Sequence, residues 1–487
     1  MLLTPPATKM SDIKMGKIGE RANEPEPVHA KKQVSRTWLG VRHVQALILF
    51  FCLASNYLMR TNLSIAMVLM TDKNSTDTYE VYDWSSEQRG ILFSAFFWGY
   101  LIMNLCAAVL VNKFNNRNLL LCSATYSSIA TIATPFIVKI GGYGAFVALR
   151  ASLGLMQGFM MPVTSGQLSR WVPPNERARC GTLVLGGMHF GTIISFVSSG
   201  VLGTSAGGWP SIFYLSGGMS LLWCVVWYEW GAESPSSCSY ISREEKRYIE
   251  SALVHTSKAK KRTIPWAKIF TNKACYAVTI AITGHNWGYW ILITQMPTFF
   301  DSVLNYSSSN NGLISAMPFA CLWVVSFPIS YIADMLIKKG VTSISLSRKL
   351  CNTIGHWGIA ACLLALGYTN SSSVAIIMYT IGVTLVGFTF MGFNINHLDI
   401  CPNFAGFLMG LTNGISNISA ILGPLFVGYV VTDVTNADLW RIVFYVSAGV
   451  FFVGNLVFII FGSGEIQDFN KVSDKEERYE SKDIEKN

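Results

Sequence analysis

Two arginines stand inside long apolar runs of this chain: Arg60 in "SNYLMRTNLSIAMV" and Arg150 in "FVALRASLGLMQGF". A guanidinium taken out of water is costly unless it is paired. Its planar fork of donors matches a carboxylate or a phosphate. The middle of every long apolar run lacks Asp and Glu: Glu229, Asp334 and Asp399 lie at run ends, and Asp301 lies beyond one. With no acidic partner built into the chain, the natural partner of these arginines is an external anion. The competing reading is snorkelling of the head group to a polar surface, which weighs more for Arg150, the nearer to a run end.

Other polar residues interrupt the same runs. Tyr57 precedes Arg60 by three residues, Tyr100 closes "FFWGY", and Gln157 lies two turns from Arg150 on a similar face. His189, His285 and His356 each stand alone in a run, and Asn413 and Asn417 share a helix face at i,i+4 spacing. Isolated histidines and asparagines in such places serve helix–helix hydrogen bonding as readily as ligand binding. "MGFNINHLDICPNFAGFLMG" carries Asn396, His397 and Asp399 at the end of another run. No phosphate-binding loop, zinc-protease motif or nucleophile elbow is present. No catalytic residue, metal ligand or cofactor is therefore assigned, and the expectation is that the chain is not an enzyme.

The elements that hold these residues are membrane-spanning helices. Of 487 residues, 51% are hydrophobic and only 13% charged, with a mean hydropathy of +0.38; soluble domains carry roughly twice that charge. Apolar runs of crossing length recur throughout. Twelve spans are expected at 43–70, 88–111, 118–139, 145–168, 180–203, 210–231, 274–299, 312–336, 349–368, 374–395, 404–430 and 440–462. The fold class is all-α polytopic. The expected parts are a tail at 1–42, a six-helix bundle at 43–231, a charged linker at 232–273, a second bundle at 274–463 and a tail at 464–487.

With both termini cytoplasmic, the tails, linker and inner loops hold nearly all Lys and Arg, as the positive-inside rule requires. The net charge of +9 is then a topology signal rather than a sign of nucleic-acid binding. Sequons at Asn74, Asn305 and Asn370 fall in outer loops and are expected to be glycosylated; those at Asn62 and Asn417 fall inside spans. None of the eleven cysteines lies in an outer segment, so no structural disulfide is expected.

The halves resemble each other. "PPNERARCGTLVLGGMHFG" opens the fifth span and "CPNFAGFLMGLTNGISNIS" the eleventh, each with Pro-Asn followed by glycines at about one-turn spacing. Paired six-span repeats around a midplane site are a transporter architecture.

The layout resembles the major facilitator superfamily. "RTNLSIAMV", "FFWGY", "WVPPNERAR", "ESP", "NHLDICPNFAG", "LMGLTNG" and "SGEIQ" resemble its anion/cation symporter branch of sialin, vesicular glutamate transporters and type I sodium–phosphate cotransporters. "NWGYW" is in the style of the insect members named for inorganic phosphate cotransport. The resemblance implies that Arg60 binds the anionic group and that Arg150 supports charge recognition or coupling. It implies that Tyr100 lines the cavity, with His189 and Asn413 at polar positions of the fifth and eleventh spans.

Departures from the branch matter as much. Gln157 stands where proton-coupled members carry glutamate, so sodium is expected as co-ion over protons, with His189 and His285 as the groups that could titrate. His285 stands where glutamate transporters carry arginine, which argues against glutamate. "VNKFNNR", with Asn112 and Lys113, departs from the usual loop after the second span, whereas Asp334 is kept after the eighth. Asn396, His397, Asp399 and Asp334 are expected to gate or clasp the inner ends.

The expected function is alternating-access transport of a small organic anion or phosphate. An anion channel-like conductance and a non-transporting anion receptor are the alternatives. A monomer is expected, and the absence of clear sorting signals favours the plasma membrane over a lysosome or vesicle.

Overall fold

The computed structural model describes residues 40–72, 79–257, 264–369 and 371–470. Among these, every regular element is helical. The first half contains α1 (Val41–Met70), α2 (Ser86–Lys113), α3 (Asn116–Gln157), α4 (Met160–Trp171), α5 (Pro174–Gly203) and α6 (Gly208–Trp230). The linker contributes α7 (Arg243–Ser257) and α8 (Trp266–Thr271). The second half contains α9 (Lys273–Ser302), α10 (Ser308–Lys338), α11 (Ile344–Tyr368), α12 (Ser372–Val386), α13 (Phe393–Ile400), α14 (Ala405–Val430) and α15 (Ala437–Phe461). Polar caps start several of them. The Ser85 hydroxyl accepts from the Gln88 amide while the Gln88 side chain accepts from the Ser85 amide, and Asn272 accepts from the amides of Ala274 and Cys275.

Among the described residues, ten segments are long and apolar enough to cross a membrane. Two features bring the crossings to twelve. Asn116–Trp171 has 56 residues, roughly 80 Å as a single rod, against a hydrocarbon core of about 30 Å. It folds back at Gly142, whose φ of 61° and ψ of −155° suit glycine alone. α9 has the length, at 30 residues, but His285, Asn286 and Gln295 lower its hydropathy.

The fourth and tenth crossings are both broken, which the expected continuous spans at 145–168 and 374–395 do not include. Gly158 and Phe159 separate α3 from α4; a 3₁₀ turn at Gly387–Phe390 and Gly392 separate α12 from α13. Each break falls in the fourth crossing of its half, so the duplication extends to backbone irregularities.

A single aromatic-rich core joins the halves, including Phe93, Phe96 and Phe97 from one and Trp290, Phe319 and Phe451 from the other. At the end away from the linker, the far end, α2 meets α14 and α5 meets α10 backbone to backbone. A Cβ at Gly90 would lie 3.1 Å from Gly428 Cα, and one at Gly312 would lie 2.8 Å from Gly200 Cα. Only glycine permits that approach, which brings the two halves into backbone contact at the far end. Asn305 is exposed after α9 with φ 56°, a conformation asparagine tolerates; Asn74 and Asn370 lie outside the described residues.

Candidate anion site

The site grows from α1. Arg60 is 8% exposed, and its Cζ lies 4.8 Å from the Tyr57 ring centre, 4.6 Å from Phe96, 4.8 Å from Tyr100 and 5.5 Å from Trp290. Tyr57 stacks on Trp290, so α9 of the second half completes a cage begun by α1 and α2. Arg150, 4% exposed, leans on the same Phe96 at 5.4 Å. The two arginines stand on different spans, and the structure brings them to one ring.

Four rings around a guanidinium attract its charge, by about 2 kcal/mol or more for a desolvated contact. They do not neutralise it. Among the described residues no ion pair reaches Arg60 or Arg150, and the Nε of each is buried without a hydrogen-bond partner. Guanidinium N–H donors are what a carboxylate or phosphate engages, and the unpartnered Nε of each arginine is such a donor.

Of the other candidates, Tyr57 and Tyr100 belong to the cage. Gln157 ends α3 and is 1% exposed. His189 on α5 faces the second half, its ring 5.5 Å from Phe390. Asn413 is half-buried on α14, its carbonyl accepting from Asn417 Nδ2 and Ser416 Oγ. Phe96 and Trp290 were not among the expected site residues. Phe96 was within reach, since it shares a helix face with Tyr100 at i,i+4; Trp290 carries no local signal that it crosses to the other half.

The Major Facilitator Superfamily model matches residues 49–424. The chain belongs to this superfamily. It is 35% identical to a Drosophila melanogaster protein named "Putative inorganic phosphate cotransporter", over 92% of this chain and 89% of that one. It is 30% identical to human sialin, covering 88% and 91%, and 31% identical to bovine vesicular glutamate transporter 1, covering 86% and 76%. It thus lies in the superfamily branch that holds these relatives. The fold matches that of a bacterial homologue of the human lysosomal transporter Spinster, solved inward-facing and unoccupied (TM-score 0.65, 14% identity, 87% and 98% covered). It also matches a D-xylose–proton symporter (TM-score 0.64, 16% identity, 88% and 98% covered).

Of the remaining candidates of this superfamily member, His285 is one ring removed from the cage, stacked on Tyr289, which packs edge-on against Trp290. His285 and His356, read singly from sequence, sit with ring centres 5.8 Å apart, both against Phe393. Asn396, His397 and Asp399 form a clasp at the linker end of the second half. Asp399 takes a bidentate pair from Arg348 at 2.7 and 3.2 Å, Asn396 donates to the Ser463 carbonyl, and His397 Nε2 meets Thr412 Oγ1 at 2.9 Å. The clasp joins α11, α13, α14 and the segment after α15 within one half. Asp334 is exposed on α10 and takes no part in it.

The first half has a counterpart. Arg42 donates to Glu176 at 2.7 Å and to Glu245 of α7 at 2.9 Å, and Glu245 also caps the start of α1. Burial alone would raise the Glu176 carboxyl; the hydrogen bond and charge of Arg42 outweigh it and hold the group below the usual carboxylate range. A groove of about 440 Å³ is lined by apolar side chains such as Phe51, Phe190 and Leu222 and contains neither arginine of the cage.

Proposed function

We propose that this chain moves a small organic anion or inorganic phosphate across a membrane by alternating access, with Arg60 receiving the anionic group and Arg150 adding charge beside it. The observation that carries this reading is the pair of buried guanidiniums on one aromatic ring with, among the described residues, no carboxylate on either. The names of the relatives, which cover phosphate, sialic acid and glutamate, support an anionic cargo. The glycine contacts at the far end and the charged clasps at the linker end support a molecule sealed on one side, as one half of an alternating cycle. The basic residues at the linker end favour a cytoplasmic linker and cytoplasmic termini. The plasma membrane is the proposed site and the monomer the proposed unit.

Sodium is the proposed co-ion, because Gln157 has no titrating proton to exchange. The test is uptake of radiolabelled phosphate, sialic acid, glutamate or benzoate into liposomes containing the purified protein, with imposed sodium or proton gradients. Saturable, sodium-driven uptake of one of these is expected. Current that grows without saturation, or binding without flux, would refute transport.

A further inference from the structure

The helices that bring Arg60 and Arg150 together also bring two amide oxygens with nothing to bond. Asn56 lies one turn before Arg60 on α1 and is 3% exposed; Gln157 lies two turns after Arg150 and is 1% exposed. Among the described residues, neither Asn56 Oδ1 nor Gln157 Oε1, both buried, has a hydrogen-bond partner. α1 packs against α3 and α4. Their depth is set by the cage itself. Gly154 abuts the Phe96 carbonyl and Gly158 abuts the Tyr100 carbonyl, and both of those rings lie on Arg60. Gln157, between the two glycines, is therefore held level with the guanidinium.

Buried acceptors are normally satisfied, so two orphans on neighbouring helices beside one charged cage call for a ligand that accepts oxygen lone pairs. Neutral amide oxygens with no carboxylate suit a hard monovalent cation; divalent sites draw on carboxylates.

We propose that Asn56 Oδ1 and Gln157 Oε1 are ligands of a sodium ion that binds together with the anion held by Arg60. This rests on the anion-transport reading and locates the co-ion within it. The charge balance makes the two ligands interdependent. Arg60 and Arg150 repel a cation placed beside them, and a bound anion cancels that repulsion. The cation in turn adds attraction for the anion. Linkage requires the two effects to be equal, and such couplings typically amount to about 5–150-fold in affinity.

The experiment is equilibrium binding of radiolabelled phosphate, glutamate and benzoate to the purified full-length protein in nanodiscs, titrated in sodium chloride and in choline chloride. Wild type is expected to bind its anion about 5–150-fold more tightly in sodium. Asn56→Leu and Gln157→Leu should each give the same affinity in both media. Gln157→Glu, which keeps the oxygen, should retain the sodium effect at neutral pH and guards against misfolding of the leucine variant. Equal wild-type affinity in sodium and choline would overturn the site while leaving anion recognition intact. A sodium effect surviving both leucine variants would overturn it too, as would enhancement by protons but not sodium. No anion binding in any medium would overturn the anion reading and the site with it.

Discussion

Replacing Gly90 by valine should open the far end. A Cβ there would lie 2.7 Å from the Pro424 carbonyl oxygen and 3.1 Å from Gly428 Cα. Both obstacles are backbone, so neither can swing aside as a side-chain tip would. Overpacking of this kind costs about 1–3 kcal/mol. The sealed arrangement bears that penalty and a far-end-open arrangement does not, so the ratio between them should shift by about 5- to 150-fold toward opening. Hydrogen–deuterium exchange on the protein in nanodiscs would report it. Exchange should rise in the far-end turns of α2 and α14 and fall at the linker ends of α5 and α10. Gly218→Ala is the control, since nothing lies within 4 Å of a Cβ at that position. An unchanged exchange pattern would refute the reasoning. So would a variant that unfolds at lower temperature without redistributing protection, because the strain would then be absorbed locally.

Three further outcomes concern the ends of the bundles. Arg348→Ala strands Asp399, which is 13% exposed, and should reduce stability by about 3 kcal/mol; the double variant with Asp399→Ala should lose less than the sum of the singles, as read by thermal unfolding in detergent. Glu176 is held below its usual pKa of 4.5, so its stabilising contribution is present above that pH and is lost as pH falls through the lower folded value. Wild-type melting temperature should therefore drop below pH 4.5, and Glu176→Gln should flatten that part of the profile. Asn272→Ala removes a cap with two amide partners and the 3.0 Å bond to Gln467; a loss of about 1 kcal/mol is expected by the same melting assay.

Periodicity and charge made the crossings legible, because bilayer thickness fixes their length. The two arginines stood out for the same reason, as charges where apolar residues are required. The breaks in the fourth and tenth crossings did not stand out. Glycines at 154, 158, 387 and 392 were visible in the sequence, but a glycine in a membrane helix serves close packing as often as interruption. The partner decides, and Tyr100 and Asn352 are partners from other helices. Trp290 was invisible as a cage wall on the same grounds, since its position depends on how one half sits on the other. His285 and His356 looked solitary, being 71 residues apart in the chain. Asn396, His397 and Asp399 were legible as a group; that Arg348, Ser463 and Thr412 hold them to their own half needed the tertiary contacts.

Arg60 offers the most direct test of the anion account. In liposomes containing the purified protein, saturable uptake of the anion should vanish in Arg60→Ala and persist, weakened, in Arg60→Lys, which keeps the charge but not the planar fork. Both variants should elute as wild type on size exclusion. Uptake by Arg60→Ala at the wild-type rate, with the wild-type affinity, would contradict the account at its centre.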